Sequence, residues 1–305
     1  MKDKIVLVTG ATGGIGKYTA LALAKMGAHV LITGRNEAVG QEAIAEIKQL
    51  SGSNKVDLFL ADVSKQADVV ALADQVQATY ERLDVLINNA GSAATQRLLS
   101  ADGLELNFAV NVVAPFLLTQ LLLSALQSRQ TARVITLMGG NVPHKLETDN
   151  LQGERNFDGL NAYSQSKLAM MVVMYEFSQQ LKDSSITMNI CYPGQASTKM
   201  TRNVTPEMFP KGIRWAFPVF KFMTRPDNGK SAAKASQSSV YLASSVDVAG
   251  VTGRYYSSKS KEAKTPDVVF GTRNTPKSLV IGSSTDEYCP LTASTSPVCA
   301  NRPNA

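Results

Sequence analysis

The feature that most constrains the fold of this chain is a glycine-rich segment near its start. Thr9-Gly10-Ala11-Thr12-Gly13-Gly14-Ile15-Gly16 follows the apolar run 5–8 and precedes a helix-type apolar pattern. A strand that passes through glycines into a helix presents backbone N–H groups and a helix N-terminus to a pyrophosphate. Gly10 would permit the tight turn, Gly14 would let the backbone approach phosphate oxygens, and Gly16 would let the helix pack on the strand. The segment alone also fits a turn that binds nothing, but its place between a first strand and a first helix favours nucleotide binding.

Strand-type and helix-type patterns alternate along the chain. The apolar strand-type runs cover residues 5–8, 28–32, 56–60, 85–87, 134–137 and 187–191, with helical patterns between them. This alternation predicts an α/β fold, a single Rossmann-type doubly wound parallel sheet with helices on both faces. We assign this domain to residues 1–270, with a substrate loop at about 199–230. The segment 271–305 is rich in Ser, Thr, Pro and Asn, which predicts a disordered tail.

Composition argues against several classes of function. The 305 residues are 44% hydrophobic and 18% charged, which is enough for one large core. The formal charge is +6 without any long run of Lys or Arg, so no nucleic-acid partner is expected. The three cysteines lack CxxC spacing and only two histidines are present, so no metal site is expected. Reduced thiols in a cytoplasmic protein are the simplest interpretation.

One uncharged stretch, Leu106 to Ser128, raises the question of a membrane span. Asn, Pro, Thr and Gln residues interrupt it, so a buried core helix is the better interpretation. The first four residues lead into a short strand, so no signal peptide is expected. We therefore predict no integral membrane span.

The segment after the second strand-type run, Thr33-Gly34-Arg35-Asn36, bears on the choice of nucleotide. In NAD-binding Rossmann units an acidic residue near this point takes the ribose 2′-hydroxyl. Here the acid is absent and Arg35 stands in its place, which suits a 2′-phosphate. The pattern favours NADP(H) over NAD(H), with an ordinary surface arginine as the alternative.

A tyrosine and a lysine share one face of a predicted helix further along the chain. Tyr163 and Lys167 are four positions apart, which places the phenol and the ammonium one turn apart. An adjacent cation favours the phenolate and would tune a tyrosine for acid/base work near neutral pH. Taken alone, such a pair is common on helices.

Five motifs together carry a family resemblance: Thr9 to Gly16, Asn88-Asn89-Ala90-Gly91, Asn111, Tyr163 with Lys167, and Pro193-Gly194 followed by Thr198. In this order and at these separations they resemble a short-chain dehydrogenase/reductase of the classical type, over residues 3–265. Residues 156–169 and 253–264 are similar to the branch that contains the retinol dehydrogenases and WW-domain oxidoreductase-like proteins, whose members mostly prefer NADP(H).

The resemblance implies roles for individual residues. Tyr163 would be the acid/base, Lys167 would bind the nicotinamide ribose and tune Tyr163, and Asn111 would hold a water in the proton relay. Asp62 would bind the adenine amino group, with a helix N-cap as its alternative role. The implied cofactor-binding set is Gly10, Thr12, Gly14, Ile15, Gly16, Arg35, Asp62, Val63, Asn89, Ala90, Gly91, Tyr163, Lys167, Pro193, Gly194 and Thr198.

The chain departs from the family where the strand before the Tyr163 helix ends. The family has a serine pair there, whose second hydroxyl binds the substrate oxygen, whereas this chain has Met138 and Gly139. Losing one preorganised donor costs about 10²–10³-fold in rate, so a reductase would be slowed unless something substitutes. The amide of Asn141 or a water beside Gly139 could do so. Alternatively, the gap accommodates a bulky substrate.

The segment from 199 to 230 is strongly aromatic, with Trp215 and Phe217 near its centre. We expect it to line the pocket of a large apolar substrate, together with Gly139 and Asn141. Ordinary packing of a lid on the body is an equal alternative. Contact with a membrane surface through the basic residues of the segment is a third, and these are Lys211, Arg214, Lys221 and Arg225.

The sequence thus predicts an NADP(H)-dependent oxidoreductase that interconverts a carbonyl and an alcohol on a medium-sized apolar molecule. One alternative is a non-redox isomerisation, elimination or cyclisation in the pocket that lacks the serine. Another is a cofactor-sensing binding protein, against which the retained Tyr163, Lys167 and Asn111 argue. A homodimer or homotetramer is plausible through the helix at 115–126 and the Tyr163 helix, whose apolar faces could equally pack within the chain.

Overall fold

The protein is built on one twisted sheet that runs through its centre. The computed structural model describes residues 1–128, 131–140, 142–202, 204–206 and 211–270. Within these residues the strand order is β3-β2-β1-β4-β5-β6-β7-β8, in which β1 to β7 pair in parallel and β8 is antiparallel. The strands are β1 Ile5–Val8, β2 His29–Gly34, β3 Val56–Leu60, β4 Val85–Asn88, β5 Ala132–Leu137, β6 Ile186–Cys191, β7 Tyr255–Tyr256 and β8 Glu262–Ala263.

Helices cover both faces of this sheet. They are α1 Gly14–Lys25, α2 Glu37–Ser51, α3 Gln66–Thr79, α4 Leu106–Phe108, α5 Ala114–Leu121, α6 Leu123–Gln127, α7 Gly159–Gln180, α8 Lys199–Arg202, α9 Phe217–Met223, α10 Lys230–Ser244 and α11 Asp267–Phe270. A π-helical turn, Ala109–Val113, joins α4 to α5, and a 3-10 helix, Lys211–Ala216, precedes α9.

The two faces bury separate apolar cores. Leu7 of β1 points into the core that the sheet shares with α3, α5 and α7. Its neighbours Val6 and Val8 point into the core shared with α1, α2 and α10. A strand that is buried on both faces has no polar side, which is why the strand-type runs of the sequence are continuously apolar. The predicted doubly wound α/β fold is confirmed.

The uncharged stretch from Leu106 forms α4, the π-helical turn, α5 and α6. Leu118, Leu122 and Leu126 on it are fully buried within the chain. The predicted buried core helix is therefore confirmed, broken into shorter pieces. In the part of the chain that the structure describes, no helix has both the length and the apolar character needed to cross a membrane.

Successive strands are added to one side of β1 up to β3 and to its other side from β4 onwards. β2 lies on one side of β1 and β4 on the other, so the crevice between the segments that follow β1 and β4 opens at the carboxyl edge of the sheet. In open α/β sheets, ligands bind in this crevice. The short strands β7 and β8 were not predicted, because two residues carry no readable alternation. The predicted tail 271–305 lies outside the described residues.

Candidate active site

The glycine-rich turn after β1 has the backbone that its glycines were predicted to allow. Gly10 and Gly14 adopt the left-handed conformation, with φ of +62° and +55°. The Gly10 amide donates to the Thr33 hydroxyl (3.1 Å), which ties the turn to the end of β2. A Cβ at Gly13 would meet nothing within 4 Å, so the turn faces open space. This open cradle of backbone at the start of α1 fits a pyrophosphate.

Asn89, just after β4, holds the same turn from its other side. Its Nδ2 donates to the carbonyl oxygens of Thr9 (2.7 Å) and Gly10 (3.1 Å). The Thr9 hydroxyl accepts from the backbone N–H groups of Asn89 and Ala90, both at 3.0 Å. A Cβ at Gly16 would overlap the Asn89 amide nitrogen, so the small residue there also makes room for this contact. The two motifs are therefore one hydrogen-bonded unit.

Arg35 lies beside Asp62 where the 2′-phosphate was expected. Its side chain is 73% exposed, and its Nη1 is 3.9 Å from the Asp62 carboxylate, so it is free to turn towards a phosphate. Asp62 accepts from the Ser64 amide and hydroxyl, at 3.1 and 2.8 Å. The alternative of a helix N-cap for Asp62 is wrong, since α3 begins at Gln66 and its N-cap is Lys65. The neighbouring Val63 packs against the core on the α7 face.

Two residues close to the glycine turn complete its surroundings. The methyl group of Thr12 fills the space where Gly34 would carry a Cβ. Ile15 is partly buried against the core on the α1 face. Lys17, by contrast, pairs with Glu46 (2.6 Å) and so takes part in the packing of α1 on α2.

Lys167 lies inside the protein on α7. It is 5% exposed, and its Nζ donates to the Leu137 carbonyl oxygen at 3.0 Å. Burial lowers the pKa of Lys167 to about 8. An amine with such a pKa exchanges protons near neutral pH, which an exposed lysine does not do.

Tyr163, one turn earlier on α7, lies against the backbone of Gly139. A Cβ at Gly139 would overlap the Tyr163 hydroxyl and would lie 3.9 Å from Lys167 Cε. Burial, with a smaller effect from Tyr192, raises the pKa of Tyr163 to about 12. The expected shift towards the phenolate is not met in this environment. A neutral phenol is, however, the form that donates a proton to a carbonyl oxygen.

Asn111 lies on the π-helical turn and orders the loop beside Lys167. Its Oδ1 accepts from the Ser92 amide, and its Nδ2 donates to the Ser92 carbonyl and the Ser166 hydroxyl, all at 2.9 Å. Ser166 in turn donates to the Tyr163 carbonyl (2.8 Å). π-helical turns are frequent at functional sites. Sequence reasoning missed Ser92 and Ser166, although Ser166 lies inside the Tyr163–Lys167 motif.

Gly91 is where Asn111, Lys167 and a further residue meet. A Cβ at Gly91 would lie 3.3 Å from Asn111 Oδ1, 3.7 Å from Lys167 Nζ and 3.4 Å from Met200 Cε. The structure therefore brings the three predicted catalytic residues to one edge of the sheet. Met200 was not predicted at the site, because no pattern distinguishes a contacting methionine from one that fills a core.

The segment after β6 covers the glycine turn. Gly194 has φ of +83°, and it follows Pro193 at the bend. Thr198 accepts from the Thr201 amide at the start of α8, and its methyl carbon would lie 3.2 Å from a Cβ at Gly14. The resemblance places Thr198 in the cofactor-binding set, and that role stays a prediction.

The two residues that follow β5, Met138 and Gly139, carry no side-chain hydroxyl. Met138 is buried in the core on the α7 face, and its amide donates to the Cys191 carbonyl (2.8 Å). A water beside Gly139 was one of the substitutes considered for the serine, and the space that a Cβ at Gly139 would take contains the Tyr163 hydroxyl. Asn141 lies outside the described residues.

The predicted substrate residues Trp215 and Phe217 differ in their exposure to solvent. Trp215 is 78% exposed and points to solvent. Phe217 is partly buried, with Lys221 Nζ 5.6 Å from its ring centre. The prediction that Trp215 faces the substrate is not supported, because a single amphipathic pattern cannot tell which side of a helix meets the body.

Fold and site together define an α/β protein of the dinucleotide-binding type, with a Tyr–Lys pair at the carboxyl edge of its sheet. The sequence profile of the family described as short chain dehydrogenase matches residues 4–208. The chain belongs to this family of oxidoreductases and to its retinol dehydrogenase branch.

Two human relatives support this assignment, and a solved structure shares the fold. Human retinol dehydrogenase 14 is 31% identical over 284 residues, covering 87% of this chain and 81% of the relative. Human dehydrogenase/reductase SDR family member 12 is 34% identical over 256 residues, covering 83% and 76%. A short-chain dehydrogenase from Shigella flexneri, solved in complex with NADP, matches with a TM-score of 0.63 at 24% identity, covering 85% of this chain and 98% of that one.

Proposed function

We propose that the protein is an NADP(H)-dependent oxidoreductase that interconverts a carbonyl and an alcohol on a medium-sized apolar substrate, with Tyr163 as the acid/base. The observation that carries the proposal is the position of the Tyr163 hydroxyl, which lies with buried Lys167 against Gly139, at the edge of the sheet where the glycine turn opens. Names of relatives such as retinol dehydrogenase 14 point to an apolar substrate of the same kind.

The choice of NADP(H) is supported by Arg35 and by the residues around it. A guanidinium donates two parallel hydrogen bonds to a phosphate, and Arg35 is accessible for this because it is exposed and its contact to Asp62 is long. The acid that would bind a free 2′-hydroxyl is absent after β2. The Shigella flexneri relative was solved with NADP, which agrees with this choice.

In the proposed reaction, the nicotinamide supplies or accepts the hydride. Tyr163 gives the phenol proton to the substrate oxygen during reduction and takes it back from the alcohol during oxidation. Lys167, held by the Leu137 carbonyl, places a cationic group next to the phenolate that forms. Asn111 acts by ordering the loop at Ser92 and by donating a hydrogen bond to Ser166. A water bound at the π-helical turn of Asn111 would pass a proton from solvent back to Tyr163.

The missing serine defines the second candidate function. Neither Met138 nor Gly139 has a side-chain hydroxyl to donate to the substrate oxygen, so hydride transfer would lack the stabilisation that such a donor supplies. A non-redox conversion, such as an isomerisation, elimination or cyclisation, would need only the proton chemistry of Tyr163. It would leave NADPH unchanged during turnover.

The test is NADPH consumption by the purified protein with a panel of apolar aldehydes, ketones and quinones, retinaldehyde among them. Tyr163→Phe, which keeps the ring and removes the hydroxyl that would donate the proton, is the matched control. We expect consumption with at least one member of the panel and its loss in the variant. Loss of substrate without NADPH consumption would replace this proposal with the non-redox one.

We further propose a cytoplasmic location and a homodimer or homotetramer. The proposal of a reducing compartment rests on the three cysteines, which lack CxxC spacing, and on the burial of Cys191. Light scattering of the purified protein tests the oligomeric state, and a monomer at micromolar concentration would contradict it.

A further inference from the structure

A surface segment between α8 and α10 exposes large apolar side chains. Within residues 211–225, here called the aromatic–basic segment, Trp215 is 78% exposed, Val219 58% and Phe222 65%. Val219 and Phe222 are three positions apart on α9, and Trp215 lies just before them at the end of the 3-10 helix. Contiguous exposed apolar side chains of this size mark an interaction site more often than they mark ordinary surface.

The charges of the same segment are of one sign. Residues 211–225 contain four basic residues and no Asp or Glu. The Arg225 guanidinium lies 4.8 Å from the centre of the Phe222 ring, and Lys221 lies over Phe217. One cation therefore lies over the exposed Phe222 ring and another over the partly buried Phe217 ring. Basic side chains beside apolar ones are typical of a helix that lies in a lipid headgroup region.

The opposite side of the segment is attached to the body of the protein. Thr224 is buried, its hydroxyl donates to the Phe220 carbonyl (3.0 Å), and its own carbonyl accepts from the Ser197 hydroxyl (2.8 Å). Lys221 Nζ donates to the Arg202 carbonyl at the end of α8 (2.5 Å). The body thus contacts one side of the segment, while Trp215, Val219 and Phe222 remain exposed to solvent.

We propose that the aromatic–basic segment binds the protein to an anionic membrane surface. Trp215, Val219 and Phe222 enter the boundary between headgroups and acyl chains, while the cations contact anionic headgroups. The complementarity of an all-basic segment to anionic lipid selects this partner over a neutral bilayer. Because α8 carries Met200 next to Gly91, the membrane contact would lie beside the mouth of the active-site cleft, where an apolar substrate dissolved in lipid could enter.

The sequence provides its own probe, since Trp215 is the only tryptophan of the chain. Its fluorescence is recorded while phosphatidylcholine vesicles with and without phosphatidylserine are added to the full chain, with no cofactor present. We expect a blue shift with the anionic vesicles, weakened by high salt, and quenching of Trp215 by brominated acyl chains. This readout is independent of catalysis, so its failure and a failure of the proposed reaction are distinguishable.

Variants distinguish binding through this segment from non-specific binding of the protein to vesicles. Phe222→Ser and Val219→Ser keep the probe and should weaken vesicle binding about tenfold or more each, by the loss of buried apolar area. Arg225→Gln should lower the preference for anionic lipid. Val246→Ser, at a residue that is 82% exposed outside the segment, is the matched control and should bind like the natural chain.

Three results would overturn the proposal. One is the absence of any shift of Trp215 fluorescence with either vesicle. Another is equal loss of binding in Phe222→Ser and Val246→Ser. The third is a shift that needs no lipid but rises with protein concentration or with polyglutamate, which would assign the segment to a second copy of the chain or to an acidic protein.

Discussion

The hydroxyl of Tyr163 occupies the space that a side chain at position 139 would need. Glycine at this position therefore does more than omit a hydroxyl, because it lets the phenol approach the end of β5. Restoring a side chain and restoring a donor are two different changes in this protein, and they can be measured separately.

Gly139→Ala should lower kcat, because the added Cβ must push the phenol away from its place above the end of β5. Displacement of a reacting group by about 1 Å costs up to about 10²-fold in rate. Gly139→Ser adds the same Cβ with a hydroxyl, so the ratio of the two variants reports the value of the donor alone. Equal rates for Gly139→Ala and the natural chain would show that the phenol does not depend on this space.

Arg35→Ala should weaken NADPH binding by about 10–100-fold and leave NADH binding nearly unchanged, since it removes charge-assisted hydrogen bonds to the 2′-phosphate. Fluorescence titration of both nucleotides measures this difference directly. Lys17→Ala is the matched control, because Lys17 also follows the glycine turn but pairs with Glu46. A parallel loss for NADPH and NADH in Arg35→Ala would contradict the assigned role.

Lys167→Met should change how stability depends on pH. Burial lowers the pKa of Lys167 from 10.5 to about 8, so between these values the unfolded chain binds more protons than the folded chain. Stability from this group therefore rises as pH increases from about 8 towards 10.5, by ~1–3 kcal/mol in total.

Urea unfolding of the natural chain and of Lys167→Met at pH 7.5 and pH 9.5 measures the effect. Buried groups common to both proteins, such as the Cys191 thiol, cancel in the comparison. From pH 7.5 to pH 9.5, the free energy of unfolding of the natural chain should increase relative to that of the variant. Equal changes in both proteins would show that burial does not destabilise the charged Lys167 ammonium.

A cluster of His29, Asp57 and Tyr80 at the opposite edge of the sheet should make the free energy of unfolding fall at acidic pH. Asp57 Oδ2 lies 2.5 Å from His29 Nε2 and accepts from the Tyr80 hydroxyl (2.6 Å). Burial alone would raise the pKa of Asp57, but the hydrogen bonds from Tyr80 and His29 outweigh it and lower the pKa. The stability from this carboxylate is present above the ordinary aspartate pKa and is lost as pH falls through the lowered value.

Tyr80→Phe should reduce this acid-sensitive part of the stability, by less than ~1 kcal/mol because Asp57 is partly exposed and solvent screens the interaction. Thermal unfolding between pH 3 and pH 6 measures it. If the stability of the variant and of the natural chain changed identically between pH 3 and pH 6, Tyr80 would not contribute to the lowered pKa of Asp57.

Much of the fold and part of the site could be predicted from the sequence. The glycine turn and the alternation of elements are local patterns with direct physical causes, and the spacing of Tyr163 and Lys167 follows from one helix turn. The position of the phenol against Gly139 and the burial that shifts its pKa depend on how α7 packs on the sheet, and no local pattern reports this packing. The exposure of Trp215 was missed for the same reason.

The proposed reaction is tested most directly by the stoichiometry of a single conversion. NADPH and retinaldehyde, or the best substrate of the panel, are incubated with the purified protein, and the alcohol formed is quantified by chromatography against the NADPH oxidised. We predict one alcohol for each NADPH and a rate that falls by about 10²-fold or more in Tyr163→Phe. Substrate converted while NADPH stays unchanged, or a Tyr163→Phe variant as fast as the natural chain, would contradict the assignment of Tyr163 as the proton donor of a reductase.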